Sequence, residues 1–200
     1  MTWTQWQLAS WVGRKNIVRF ENRFPKNYAR DLQRFIKPKD QVFAVVHTRD
    51  LLNFLASRVR WGNRNPVRNP EVGLWLIVAK ESFGETNTIP ADKIGTVYDW
   101  FKESEQIRRE VCAFIGGVYS EDEFERVPSG GRGSSFDQLQ YEGRGSEMNT
   151  LKRYEQVLAN PKLSRPFKYY LNKNQEALKF YLDHFQPDDE KRAVIKELVA

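Results

Sequence analysis

The feature that most restricts what this chain can fold into is the stretch from Pro128 to Ser146, where Gly and Ser dominate around Arg132 and Arg144. Such a stretch loses much conformational entropy on ordering and offers too little apolar surface to pack alone. It reads as a linker or loop, and it divides the chain into a core domain at 1–127, the linker at 128–146 and a helical appendage at 147–200. Any core must come from the flanks. With 200 residues, 40% of them hydrophobic and 14% aromatic, the flanks suffice for one compact domain with a small addition and exclude two large domains.

Spacing on the flanks is mainly helical. Tyr28, Leu32, Phe35 and Ile36 share a helical face behind Asn27, and Pro38 stops the run. Val42, Val45, Val46, Leu52, Leu55 and Val59 fit a long helix from the N-cap candidate Asp40 to about Trp61 and Gly62. A competing reading makes 41–47 a strand and starts the helix at Thr48, because the run of Val residues around Phe43 and Ala44 favours strands. The segment 72–80 is ambiguous in the same way. The spacing predicts a helix from Pro90 to about Ile115, with Thr88 as N-cap candidate and Gly116 and Gly117 as the stop. Capping-box spacing recurs from Ser120 to Glu123. Further helical patterns lie at 147–159, 165–185 and 189–199; Phe167, Tyr170, Leu171, Leu178, Tyr181, Leu182 and Phe185 form a core stripe. The expected fold class is mainly α, a helical bundle with an Arg-rich loop and a C-terminal helical appendage. The alternative is α/β, if 42–47 and 74–79 are strands.

The longest apolar run, Gly73 to Ala79, falls far short of the roughly 20 residues of a membrane-spanning helix, so no membrane contact is expected. The first residues lack the basic and apolar regions of a signal peptide. A lone Cys112 excludes an intramolecular disulfide, and a cytoplasmic location is expected.

The residue inventory removes several chemistries. His47 and His184 are the only histidines, which excludes an HExxH site, a zinc finger or a three-histidine centre. No phosphate-cradling glycine loop is present. Cys112 sits beside Val111 and Phe114 in a predicted helix and reads as a buried, inert thiol rather than a nucleophile paired with His47. No metal, cofactor or catalytic residue is assigned. One enzyme alternative survives: were 42–47 and 74–79 strands, Asp50, Glu81 and Lys80 could form a metal-dependent nuclease site.

Charge is distributed unevenly. The formal charge is +6 overall, but +10 over residues 1–70, -6 over 71–127 and +2 over 128–200. A basic segment of this kind attracts a polyanion, or the acidic segment of a neighbouring copy or another protein. Its densest part runs from Arg58 through Arg60, Trp61 and Arg64 to Arg68, four arginines without an acid in eleven residues. Guanidinium forks suit phosphates, and Trp61 offers a face for a base, worth about 1–3 kcal/mol where such stacking occurs. Arg14, Lys15, Arg19 and Arg23 form a second cluster among Trp11, Phe20 and Phe24. Contacts of this kind give affinity and salt dependence without sequence readout.

The segment from Leu51 to Arg60, with its Arg-x-Arg pair, resembles the part of rod-shaped plant RNA virus coat proteins (virgavirus type) where a helix delivers such a pair to genomic RNA. Tyr119 followed by Phe124 and Glu125 is similar to the aromatic and Phe-Glu element after the last bundle helix of that family. The resemblance covers about residues 40–126. It implies a four-helix bundle whose copies wind around single-stranded RNA, in virions, with Arg58 and Arg60 near phosphates. It also implies that Tyr119, Phe124 and Glu125 take part in packing between or within subunits. The expected function is therefore a self-assembling, coat-like protein that binds single-stranded RNA; the two alternatives are the nuclease above and a non-enzymatic interaction module with a basic face.

Overall fold

A computed structural model describes residues 43–62, 72–89, 91–125, 144–148 and 150–199. The described fold is mainly helical, with one pair of short parallel strands. In chain order the elements are β1 (Phe43–Thr48), α1 (Leu51–Gly62), α2 (Val72–Ser82), β2 (Asp92–Val97), α3 (Tyr98–Glu103), α4 (Glu105–Phe114) and α5 (Glu121–Glu125). A 3-10 turn (Gly145–Glu147) precedes α6 (Arg153–Leu158), α7 (Pro161–Lys173), α8 (Gln175–His184) and α9 (Asp189–Val199). No helix among the described residues is long and apolar enough to cross a membrane.

Of the two readings open for the segment after Asp40, the strand followed by a helix is the one formed, with the strand at Phe43–Thr48 and the helix starting at Leu51. β1 pairs in parallel with β2, from Phe43 opposite Asp92 to Thr48 opposite Val97. Asp50 then starts α1: its Oδ1 accepts the Asn53 amide at 3.0 Å, an N-cap in the first turn. Leu51, Leu52, Leu55, Ala56 and Val59 recur at helical spacing and are buried. The second strand of the α/β alternative is not formed, because 74–79 lies within α2, where Val72, Trp75, Leu76 and Ala79 make an inward stripe.

The helix expected from Pro90 to Ile115 is corrected to β2, α3 and α4. Thr88 caps no helix; its amide donates to Glu81. Ser104 ends α3 and caps α4, its hydroxyl accepting the Ile107 amide. Ser82 ties α2 to both strands by donating to the Val46 and Thr96 carbonyls. β2 passes so close to α2 that a Cβ on Gly95 would lie 1.6 Å from the Ser82 carbonyl oxygen. Here glycine is required by contact.

The helix expected at 165–185 is two helices that meet at Asn174, with the first beginning earlier, at Pro161, behind the Asn160 cap. Nor is the C-terminal part an appendage on a separate core. Tyr154, Val157, Leu163, Phe167, Leu171, Tyr181, Phe185 and Leu198 share one cluster of buried residues with those of α1 and α2. α6 and α7 pack on α1, and α8 packs on α2. The linker boundaries within 126–143 lie outside the described residues.

Candidate functional site

Arg58 and Arg60 stand on the last turns of α1, both half-buried, and flank the buried Leu51, Leu55 and Val59 stripe on its two sides, since residues two apart on a helix point about 160° apart. The Arg58 guanidinium lies 5.3 Å from the centre of the Phe54 ring, one turn earlier on the same helix. Cation–π contact and the ridge of α1 thus orient the first arginine of the expected interface. The Trp61 side chain, Arg64, Arg68, Arg14, Lys15, Arg19 and Arg23 lie outside the described side chains.

Tyr119 and Phe124 are brought together within the chain by a residue the sequence reading did not single out, whereas Glu125 is held elsewhere. Arg108, buried on α4, donates from Nε to the Tyr119 hydroxyl at 2.8 Å and from Nη1 to the Phe101 and Lys102 carbonyls. Its guanidinium lies 4.2 Å from the Phe124 ring centre. The Tyr119 hydroxyl donates in turn to Glu121. Glu125 accepts the Ser146 amide at 2.9 Å, and hydrogen bonds to Ser146 hold its carboxyl below the ordinary range. A buried arginine among charged helices has no local signature, which is why Arg108 escaped notice.

A second cluster lies at the C-terminal ends of both strands, the side where open parallel sheets place ligands. The Asp50 amide donates to Asp99 Oδ2 at 2.9 Å, and Asn53 Nδ2 donates to Asp99 Oδ1 at 3.1 Å. Tyr181 and Lys191 both donate to Asp50 Oδ2, at 2.5 and 3.0 Å. Burial, then the Asp50 charge, pushes the Asp99 carboxyl up to about 6 against the pull of its hydrogen bonds. Burial opposes the Lys191 charge, yet the attraction of Asp50 prevails and raises it. Burial pushes the Tyr181 hydroxyl well above its ordinary value, so it stays a donor. Beside these groups lies a cavity of about 200 Å³, walled by Trp100, Phe185 and Gln186. Both carboxylates are engaged by donors from α1, α8 and α9, so the arrangement joins elements around the start of α1.

The nuclease grouping is not assembled. Glu81 is buried in a separate network, accepting the amides of Thr88 and Ile89, the Thr86 hydroxyl and Lys93 Nζ. Burial pushes its carboxyl up, but these donors together outweigh burial and hold it at about 2. Lys80 pairs with Glu176 on α8 at 2.7 Å. Among the described residues, no three His, Cys, Asp or Glu side chains converge to hold a metal.

Cys112 is half-buried rather than buried. His47 meets the edges of Tyr98 and Phe101, whereas His184 stacks on Phe180 and places Nε2 2.8 Å from Glu85. Compared with protein-family models, curated proteins and solved structures, the chain matches none.

Proposed function

We propose that the protein binds single-stranded RNA through phosphate contacts from Arg58, Arg60, Arg64 and Arg68, and that copies assemble along the strand as a coat-like protein. The observation that carries this reading is the setting of the arginines. α1 contains no acidic residue, is anchored in the core by Leu51, Leu52, Leu55 and Val59, and ends where the acid-free Arg-rich connection begins. A rigid helix that delivers cations at its end limits the entropy lost when phosphates are bound. Arg14, Lys15, Arg19 and Arg23 add to the same charge, and Trp61 supplies an aromatic face. The -6 segment at 71–127 gives a neighbouring copy a complementary surface for the +10 segment.

Fluorescence anisotropy with labelled oligouridine tests the reading. Each phosphate neutralised on a single strand contributes about -0.7 to the slope of log affinity against log salt, so four arginines give roughly -3. Arg58→Glu with Arg60→Glu should lower affinity at least about tenfold at moderate salt and flatten the slope by about 1.4. Undiminished binding by the double variant removes these residues from the site. No RNA binding by the parent at low salt refutes the function, and sedimentation that shows one bound copy per long RNA refutes the assembly.

A further inference from the structure

The longest described helix, α7, carries Lys162, Arg165, Lys168 and Lys173 and no acidic residue. Its two sides are sharply divided. Leu163, Phe167 and Leu171 face inward and are buried. At about 100° per residue, the four cations and Tyr169 fall opposite them, within an arc of about 140°. Lys162, Arg165, Tyr169 and Lys173 are exposed, and Tyr169 keeps 57% of its surface accessible.

Charges on other helices are matched differently. Lys179 pairs with Asp183 on α8, and Arg109 pairs with Glu105 on α4. On α7 Lys162, Arg165 and Lys168 follow one another at three-residue spacing, where like charges repel. A bound polyanion relieves that repulsion. Tyr169 is also held in place: Tyr170 meets it edge-on with ring centres 5.2 Å apart, and Lys173 Nζ lies 5.7 Å from its ring centre. α1 and α7 are the two helices among the described residues that carry cations without an acid, and they pack against each other.

We propose that the outward face of α7 is a second contact surface for single-stranded nucleic acid, with its four cations against successive phosphates and Tyr169 stacked on a base. This rests on the RNA-binding reading and extends it to the C-terminal helices. A positively charged track beside an accessible aromatic ring is the combination that holds a single strand without reading its sequence. A duplex keeps its bases stacked on one another and leaves Tyr169 no face to cover, so the surface selects single strands.

The test uses the full chain, labelled oligouridine and three variants: Lys162→Gln/Arg165→Gln/Lys173→Gln, Tyr169→Ala, and Arg58→Glu/Arg60→Glu. All the α7 changes lie on exposed positions, and circular dichroism checks that each variant keeps its helices. The triple variant should flatten the salt slope by about 2, and Tyr169→Ala should weaken binding about tenfold at unchanged slope. A duplex of equal length should not register the Tyr169 change. If the parent binds RNA, the α1 variant weakens it and both α7 variants leave affinity and slope unchanged, the α7 surface is overturned while the proposed function stands. If the parent binds no RNA at low salt, both fall. Equal competition by polyglutamate, with no effect of Tyr169→Ala, overturns the proposal in favour of an acidic protein partner.

Discussion

At the scale of single residues, the most consequential group is Asp99, 5% exposed and bonded to the Asp50 amide and to Asn53. Asp50, Arg49, Tyr98, Lys102, Tyr181 and Lys191 supply the charged and titratable surroundings. A carboxyl raised from 3.8 to about 6 binds its proton more tightly in the fold than in the open chain. Its stabilising contribution is therefore complete below about pH 4 and is lost as the pH rises through about 6. Two units correspond to about 3 kcal/mol. Denaturant unfolding of the parent and of Asp99→Asn from pH 4 to 7.5 should show the parent's advantage shrinking by about that amount. The introduced amide meets one hydrogen-bond donor wrongly at every pH, so the change with pH is the diagnostic quantity; a pH-independent difference refutes the raised carboxyl. Glu81 has the opposite sign. Held at about 2 against an ordinary 4.5, it stabilises fully above pH 4.5 and loses this as the pH falls through 2.

At the scale of elements, the sequence distinguished what local spacing controls and missed what pairing controls. β1 was one of two open readings because Val45, Val46 and their neighbours suit a strand or a buried helix turn equally. β2 gave no strand signal. Asp92, Lys93 and Gly95 are poor strand formers, and Ile94 and Val97 sit at a helical interval. Pairing with β1 and the close pass beneath Ser82 decide its conformation. Gly95→Ala should therefore destabilise by about 3 kcal/mol, since a backbone carbonyl rather than a flexible side chain occupies the space. Gly73→Ala supplies the contrast. It lies in α2 with nothing within 4 Å of an added Cβ, and should stabilise by about 0.5–1 kcal/mol. Thermal melts of the two variants should move in opposite directions; a shared direction would sink the contact argument. The Asp50 and Asp99 joint was illegible for a related reason, because 49 residues separate partners that only the parallel strands bring together.

At the scale of the whole molecule, the charge partition and the helical character were legible, but the relation of the C-terminal helices to the rest was not. An apolar stripe shows that a helix has a face to bury, without showing what covers it. Here the stripe of α7 and α8 covers α1 and α2, and more than half of the main buried cluster lies beyond residue 150. Four bonds at the start of α1 also come from that half: Tyr181 and Lys191 donate to Asp50, the Arg153 amide donates to Asn53, and the Leu151 carbonyl accepts from Asn53. Removing 150–200 therefore exposes Leu51, Leu52, Leu55 and Trp75 and leaves the buried Asp50 carboxylate without its cation. Exposing these four side chains removes about 1.5–3 kcal/mol each, which together is as large as the 5–15 kcal/mol that ordinarily holds a domain together. The 1–149 fragment should show no cooperative thermal transition by circular dichroism. Co-expressed with 144–200, a 1–143 fragment should co-purify with it and melt as one unit, because the core contacts do not require the chain to be continuous between them. A 1–149 fragment that melts cooperatively by itself would show that the N-terminal part is self-sufficient, and would restore the C-terminal helices to the standing of an appendage.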